Sequence, residues 1–105
     1  MELTLNSDID DDGRPVVIAV GSIDLATRDR FLAFGDSAMC STDEGEFLLD
    51  LAGVTFLDSL GVGALVKLDQ LASDRGREMV LRRPSARVVR LLEMVGLDDI
   101  WRVES

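Results

Sequence analysis

The chain has no histidine and no tyrosine, one cysteine, one tryptophan and two prolines. Without histidine there is no Ser-His-Asp or Cys-His catalysis, no imidazole acid–base chemistry and no histidine metal site. Cys40 stands alone. It builds neither a disulfide framework nor a cysteine zinc site, and it suits a reducing cytoplasm. Without tyrosine, and with one tryptophan, the chain lacks an aromatic platform on which bases could stack. No G-x-x-x-x-G-K-[ST] loop is present, so no P-loop is expected. Positive charge is also scarce: 11 Lys and Arg face 20 Asp and Glu, a net charge of −9. Such a surface repels phosphate backbones and anionic bilayers, so neither nucleic acid nor membrane is expected as a partner. The apolar runs are far shorter than a membrane span. The opening MELTLNSDIDDDG has neither the basic nor the apolar region of a signal peptide. These absences lead us to expect no enzyme, no catalytic residue, no cofactor and no metal.

What is present is an ordinary globular composition, 47% hydrophobic and 30% charged over 105 residues. That is one domain's worth of chain, residues 1–105. Leu3–Asn6 alternates as a short strand does, and Ser7–Arg14 is an acidic loop. Pro15–Gly21 is a β-branched apolar run and predicts a buried strand, with Pro15 tolerated at its first position. The two runs flank a turn-rich segment and predict a hairpin. Asp24–Cys40 has helical spacing, with Leu25, Arg28, Leu32 and Gly35 on one row, Phe31, Phe34 and Ala38 on another, and Asp24 or Thr27 as cap. Ser41–Gly45 is polar and predicts a loop. Phe47–Leu51 predicts a strand, and Ala52–Leu57 a turn with a second short apolar segment. Ser59–Ser73 is an amphipathic helix with Val62, Leu65, Leu68 and Ala72 inward, widened by Ala64 and Leu71. Met79–Leu81 predicts a strand. Pro84-Ser85 opens a helix to Val95, with Val88, Leu91, Leu92 and Val95 inward and Gly96 as its C′ residue. Met79, Met94 and Trp101 are expected to be packing residues. Ile100–Val103 predicts a last short strand. After the hairpin, strands and helices alternate, which implies parallel strands joined by right-handed crossovers.

Three constellations bear on chemistry. Asp8-Ile9-Asp10-Asp11-Asp12-Gly13 copies the opening of a calcium loop, but the twelfth position, which should supply a bidentate carboxylate, is Ala19. A solvated hairpin loop is the better reading. The basic residues Arg82, Arg83, Arg87 and Arg90 can bind an anion, but read more plainly as a solvated face that balances an acidic domain. Leu57-Asp58-Ser59-Leu60-Gly61 is not a nucleophile elbow, because the position two before the serine is not glycine. The plainest role for Ser59 is capping, since Ser is a favoured N-cap and contributes about 1 kcal/mol. Gly61 and Gly63 fall in the first helical turn, where each costs about 0.5–1 kcal/mol against Ala. That cost points to close approach by another backbone, a ligand or a partner. Ser59 also suits phosphorylation. A phosphate adds roughly −1.5 to −2 charges, which a helix N-terminus tolerates, while Asp58 beside it, and Asp24 if the strand ends converge, would repel it. Such a modification changes what docks without unfolding the domain.

Three stretches then carry a resemblance. They are Gly21-Ser22-Ile23-Asp24-Leu25-Ala26-Thr27, then Leu49-Asp50-Leu51 through Val54, Phe56, Asp58-Ser59 and Gly61, and Val89-Arg90-Leu91-Leu92 through Val95-Gly96-Leu97-Asp98. Across roughly residues 15–103 the chain resembles a STAS domain of the bacterial anti-sigma factor antagonist type. The resemblance implies an α/β fold, a small mixed β-sheet of about four to five strands with helices mainly packed on one face. It implies a cytoplasmic partner-switching module that binds an anti-sigma factor with serine kinase activity. That kinase phosphorylates the module and so releases it, and a phosphoserine phosphatase resets it. By the same resemblance Ser59 is the phosphoacceptor, Asp58 its motif neighbour and Asp24 the acidic residue near the site, while Gly61 and Gly63 shape the docking surface. Many members have a small polar residue where this chain has Leu60, which bears on partner choice. The resemblance fixes no oligomeric state. The alternative is a STAS-type accessory subunit of a transporter or sensory scaffold that is not phosphorylated.

Overall fold

The structure, a computed structural model, describes residues 2–40 and 45–105. Its five strands are β1 (Leu3–Ile9), β2 (Pro15–Ile23), β3 (Gly45–Leu57), β4 (Arg77–Arg82) and β5 (Arg102–Glu104), and its three helices are α1 (Arg28–Met39), α2 (Ser59–Asp74) and α3 (Ala86–Met94). The sheet order is β1-β2-β3-β4-β5, with β1 antiparallel to β2 and the other pairs parallel. Each crossover advances one strand in the same direction. Crossovers of one hand that all advance the same way place their helices on the same face. The main core accordingly joins Val17, Phe47, Leu49 and Leu81 from the strands to Phe31, Leu65 and Val88 from the helices.

Among the described residues the opposite face carries no helix. Its buried apolar strip is Val16, Leu48 and Val80. An ion-pair network runs along this face. Arg14 Nη1 lies 2.7 Å from Glu46 Oε1 and 2.8 Å from Glu104 Oε2, and Arg102 pairs with Glu46. Strands are about 4.8 Å apart, so Arg14 and Glu104 meet over the strands between β2 and β5.

Each predicted helix and strand is present, and the differences lie at boundaries and in the turn expected within β3. β1 runs on to Ile9 because its backbone pairs with β2 as far as Ile9 opposite Pro15. Asp10 then closes the hairpin: its Oδ1 accepts from the N–H of Asp12 at 3.0 Å and of Arg14 at 2.8 Å, and its Oδ2 from Arg14 Nε at 2.8 Å. This use of the carboxylate gives the acidic loop a structural role. Among the described residues no cluster of three His, Cys, Asp or Glu could hold a metal ion.

β3 is one strand rather than a strand and a turn. Partners run from Ile18 opposite Asp50 to Val20 opposite Gly53, and from Gly21 opposite Val54 to Ser22 opposite Phe56. The extra β3 residue at each step is a bulge, which breaks the two-residue alternation that sequence reading depends on. α1 begins at Arg28, not at Asp24, and Leu25 is exposed. In α3, Val88 and Leu92 are buried as expected, but Val95 and Met94 are exposed, Met94 at 76%. The helix ends before Val95, and Gly96 follows with φ of 77°, the left-handed geometry expected of a C′ glycine. Met79 and Trp101 are buried as packing residues. Ser41–Glu44 of the predicted polar loop lie outside the described residues, and Gly45 already belongs to β3.

Candidate functional site

Ile23, the last residue of β2, pairs with Leu57, the last residue of β3. Asp24 and Asp58 therefore leave two adjacent parallel strands at the same end of the sheet. Asp58 has an extended backbone and is the N-cap of α2. Its Oδ1 accepts the Gly61 N–H at 2.8 Å. The capping role expected of Ser59 thus falls to Asp58, and Ser59 becomes the first helical residue, exposed to solvent. The Asp58 carboxylate satisfies an orphan N–H and sits at the positive end of the helix dipole.

Asp24 is engaged in its own turn. Its Oδ1 accepts from the N–H of Ala26 at 3.0 Å and of Thr27 at 3.2 Å. Thr27 is the N-cap of α1, but its side chain makes no capping bond. Its buried hydroxyl instead donates to the Ser22 carbonyl at 2.9 Å and accepts from the Asp24 N–H at 3.0 Å. These bonds tie the Asp24 turn to the end of β2.

The two glycines separate. Gly61 is buried, and a Cβ there would lie 2.3 Å from the Ile23 carbonyl oxygen. It lets α2 pack directly on the backbone of β2, so it shapes the site from beneath and is not part of the surface. Gly63 is exposed, and a Cβ there would meet nothing within 4 Å. Leu60 is 40% exposed on the same turn. Asp24 and Asp58 therefore leave the same end of the sheet, and Ser59, Leu60 and Gly63 are exposed at the start of α2, which begins there.

Two features nearby were not legible. Asp50, the one charge within the apolar run Phe47–Leu51, is 1% exposed. Its Oδ2 accepts from Arg83 Nη2 at 2.7 Å and Arg82 Nε at 3.0 Å, and its Oδ1 from the Ala52 N–H at 3.0 Å. Burial pushes its pKa up, but the bonds from Arg83, Ala52 and Arg82 outweigh this and hold it below the usual value. Arg82 and Arg83 thus neutralise a buried carboxylate, although Arg83 stays 56% exposed. The second feature is a groove of about 370 Å³ lined by Leu57, Ala86, Arg87, Arg90, Leu91 and Met94. A charged residue inside an apolar strand was the available signal for the first. The second needs α3 to be laid against the end of β3, which no spacing in the sequence states.

A family model described as "Mlab, STAS domain" matches residues 7–103. The chain belongs to the STAS-domain family. Its match begins earlier than the roughly 15–103 expected from motifs and takes in part of β1 and the hairpin. This STAS domain is 37% identical over 57 residues to the anti-sigma-B factor antagonists of Listeria monocytogenes and Listeria innocua, covering 54% of this chain and 50% of theirs. It therefore spans about half the length of the curated relatives it matches. Among solved structures it is similar to an anti-sigma factor antagonist from Mycobacterium paratuberculosis, with 28% identity and a TM-score of 0.73, covering 98% of this chain and 86% of that one. It also shares the fold of SpoIIAA in its unphosphorylated form, with 20% identity and a TM-score of 0.70, covering 97% and 89%. The phosphorylated Bacillus SpoIIAA gives 18% identity and 0.65, covering 97% and 92%. Among the described residues no helix is long and apolar enough to cross a membrane.

Proposed function

We propose that this STAS domain is an anti-sigma factor antagonist, a non-enzymatic cytoplasmic module that binds an anti-sigma factor with serine kinase activity and is released by phosphorylation of Ser59. A phosphoserine phosphatase returns it to the binding form. The observation that carries this reading is the division of labour at the start of α2: Asp58 caps the helix and Ser59 is left exposed beside it. A hydroxyl not needed for capping can be modified without removing a cap. The new phosphate sits at a helix N-terminus, where free N–H groups and the dipole favour it. Asp58, and Asp24 at the neighbouring strand end, make the modified surface more negative still. A partner seated over this corner is repelled while the fold beneath is retained. The names of the relatives and of the similar structures support the same partner class.

The test is incubation with the cognate anti-sigma factor kinase and ATP, followed by phosphosite mapping. Label confined to Ser59, and lost in Ser59→Ala, is the expected result. Label elsewhere, or a fully labelled Ser59→Ala protein, refutes the assignment. Ser59→Asp should weaken the partner complex by about 1–3 kcal/mol with little change in unfolding.

A further inference from the structure

We propose that the groove between α3 and the end of β3 seats an acidic, apolar-anchored segment of the protein that docks over Ser59; the inference rests on the partner-binding function proposed above. Lys67 is the single lysine, so ten of the 11 basic residues are arginines. Most of these are already engaged. Arg14, Arg75, Arg82, Arg83 and Arg102 pair with carboxylates, Arg28 lies near Asp29, Arg30 donates to a backbone carbonyl, and Arg77 is held as well. Among the arginines of the described residues only Arg87 and Arg90 have no partner, and both line this groove.

Their placement is specific. They lie three residues apart on α3, hence on neighbouring positions of one helix face. Both are exposed. Beside them Leu57, Ala86 and Leu91 give the groove an apolar wall, and Met94, 76% exposed, lines it as well. Leu57, in the lining of the groove, directly precedes the Asp58-Ser59 pair in the chain, at the end of the same strand. In a domain of net charge −9, two unneutralised guanidinium groups beside an apolar lining call for carboxylates carried on an apolar scaffold. A guanidinium takes a carboxylate in a two-pronged, planar geometry, and methionine adapts to the side chain between. Nucleic acid is disfavoured by the surrounding negative charge. The docking face is therefore split, acidic around Ser59 and basic along α3. A partner must present the opposite split, which fixes its orientation and rejects partners of uniform charge.

The test titrates the purified anti-sigma factor that labels Ser59 into wild-type protein and into three variants, by calorimetry at low and moderate salt. The double variant Arg87→Gln/Arg90→Gln should bind at least about tenfold more weakly and show a flatter salt dependence. The lysine pair Arg87→Lys/Arg90→Lys should recover part of the loss. Arg75→Gln, which removes a cation paired elsewhere with Asp36, should bind within about twofold of wild type. Melting curves unchanged from wild type establish that the fold survives. Equal binding by the glutamine pair, or an equal loss in Arg75→Gln, overturns the groove while leaving the Ser59 switch intact. A wild-type protein that is neither bound nor labelled overturns both.

Discussion

The Asp58 carboxylate accepts the Gly61 N–H at 2.8 Å and relieves its neighbour Ser59 of capping α2. Adjacent residues that both favour a helix start are thereby given different tasks. Asp58→Ala should lower stability by about 0.5–2 kcal/mol, the usual cost of a lost cap. Ser59→Ala should stay within about 0.5 kcal/mol, as an exposed substitution does. Urea unfolding of both variants checks the pair. A Ser59→Ala protein as weakened as Asp58→Ala would return the cap to the serine.

The two glycines of the first α2 turn should respond in opposite directions. In Gly61→Ala the new methyl would lie 2.3 Å from the Ile23 carbonyl oxygen and 2.5 Å from Leu57 Cδ1, and the forced shift should cost about 1–3 kcal/mol. In Gly63→Ala the methyl meets nothing, so the helix should gain about 0.5–1 kcal/mol. Partner affinity should fall in Gly63→Ala if the bare backbone is there for a docked protein. A stabilised variant with unchanged affinity would show that the surface at Gly63 stays free in the complex.

Asp50 and Glu104 should set the acid limit of the fold. Burial raises the Asp50 pKa, but the bonds from Arg83, Ala52 and Arg82 more than offset it; for Glu104 the bond from Arg14 leads, and both groups are held below their usual values. A carboxylate with a lowered folded pKa binds protons more tightly in the unfolded chain. Its stabilisation is therefore complete above the ordinary carboxylate pKa of about 4 and is lost as pH falls through the folded value. Unfolding midpoints should be flat from neutral pH to about 5 and fall steeply below about 4. Asp50→Asn should cost about 1–3 kcal/mol at neutral pH, by leaving Arg82 and Arg83 short of their anion, and should flatten the acid limb. An acid limb as steep as wild type in that variant would assign the protons elsewhere.

Arg14 and Glu104 stand 90 positions apart in the chain and fasten the hairpin to the far edge strand over the helix-free face. Arg14→Ala should loosen β5, which pairs with β4 over only three residues. Amide exchange in Arg102–Glu104 should speed up, and the strip of Val16, Leu48 and Val80 should become accessible to an apolar dye. Unchanged exchange in β5 would show that its pairing with β4 suffices.

Most of the fold was written in local patterns. The β-branched run of β2, the helical rows of α2 and the Ser85 and Gly96 boundaries of α3 each follow from periodicity or capping chemistry within a few residues. Boundaries drifted where backbone pairing overrode side-chain alternation: β1 extended to stay opposite Pro15, and β3 absorbed two bulges. Val95 was placed inward on helical spacing and Met94 among the packing residues, although the helix ends before Val95 and both are exposed.

The sequence by itself determined the alternation of strands and helices, the exclusion of histidine, zinc and P-loop chemistry, and the Asp-Ser pair at a helix start, because each depends on residue type and short spacing. Only the tertiary structure decided which residue of that pair caps the helix, which glycine is consumed by packing, that Arg82 and Arg83 neutralise a buried carboxylate, and that Arg87 and Arg90 do not. Those outcomes depend on which groups the sheet brings within hydrogen-bonding distance across many residues of chain, and the pattern along one segment carries no record of what lies opposite it.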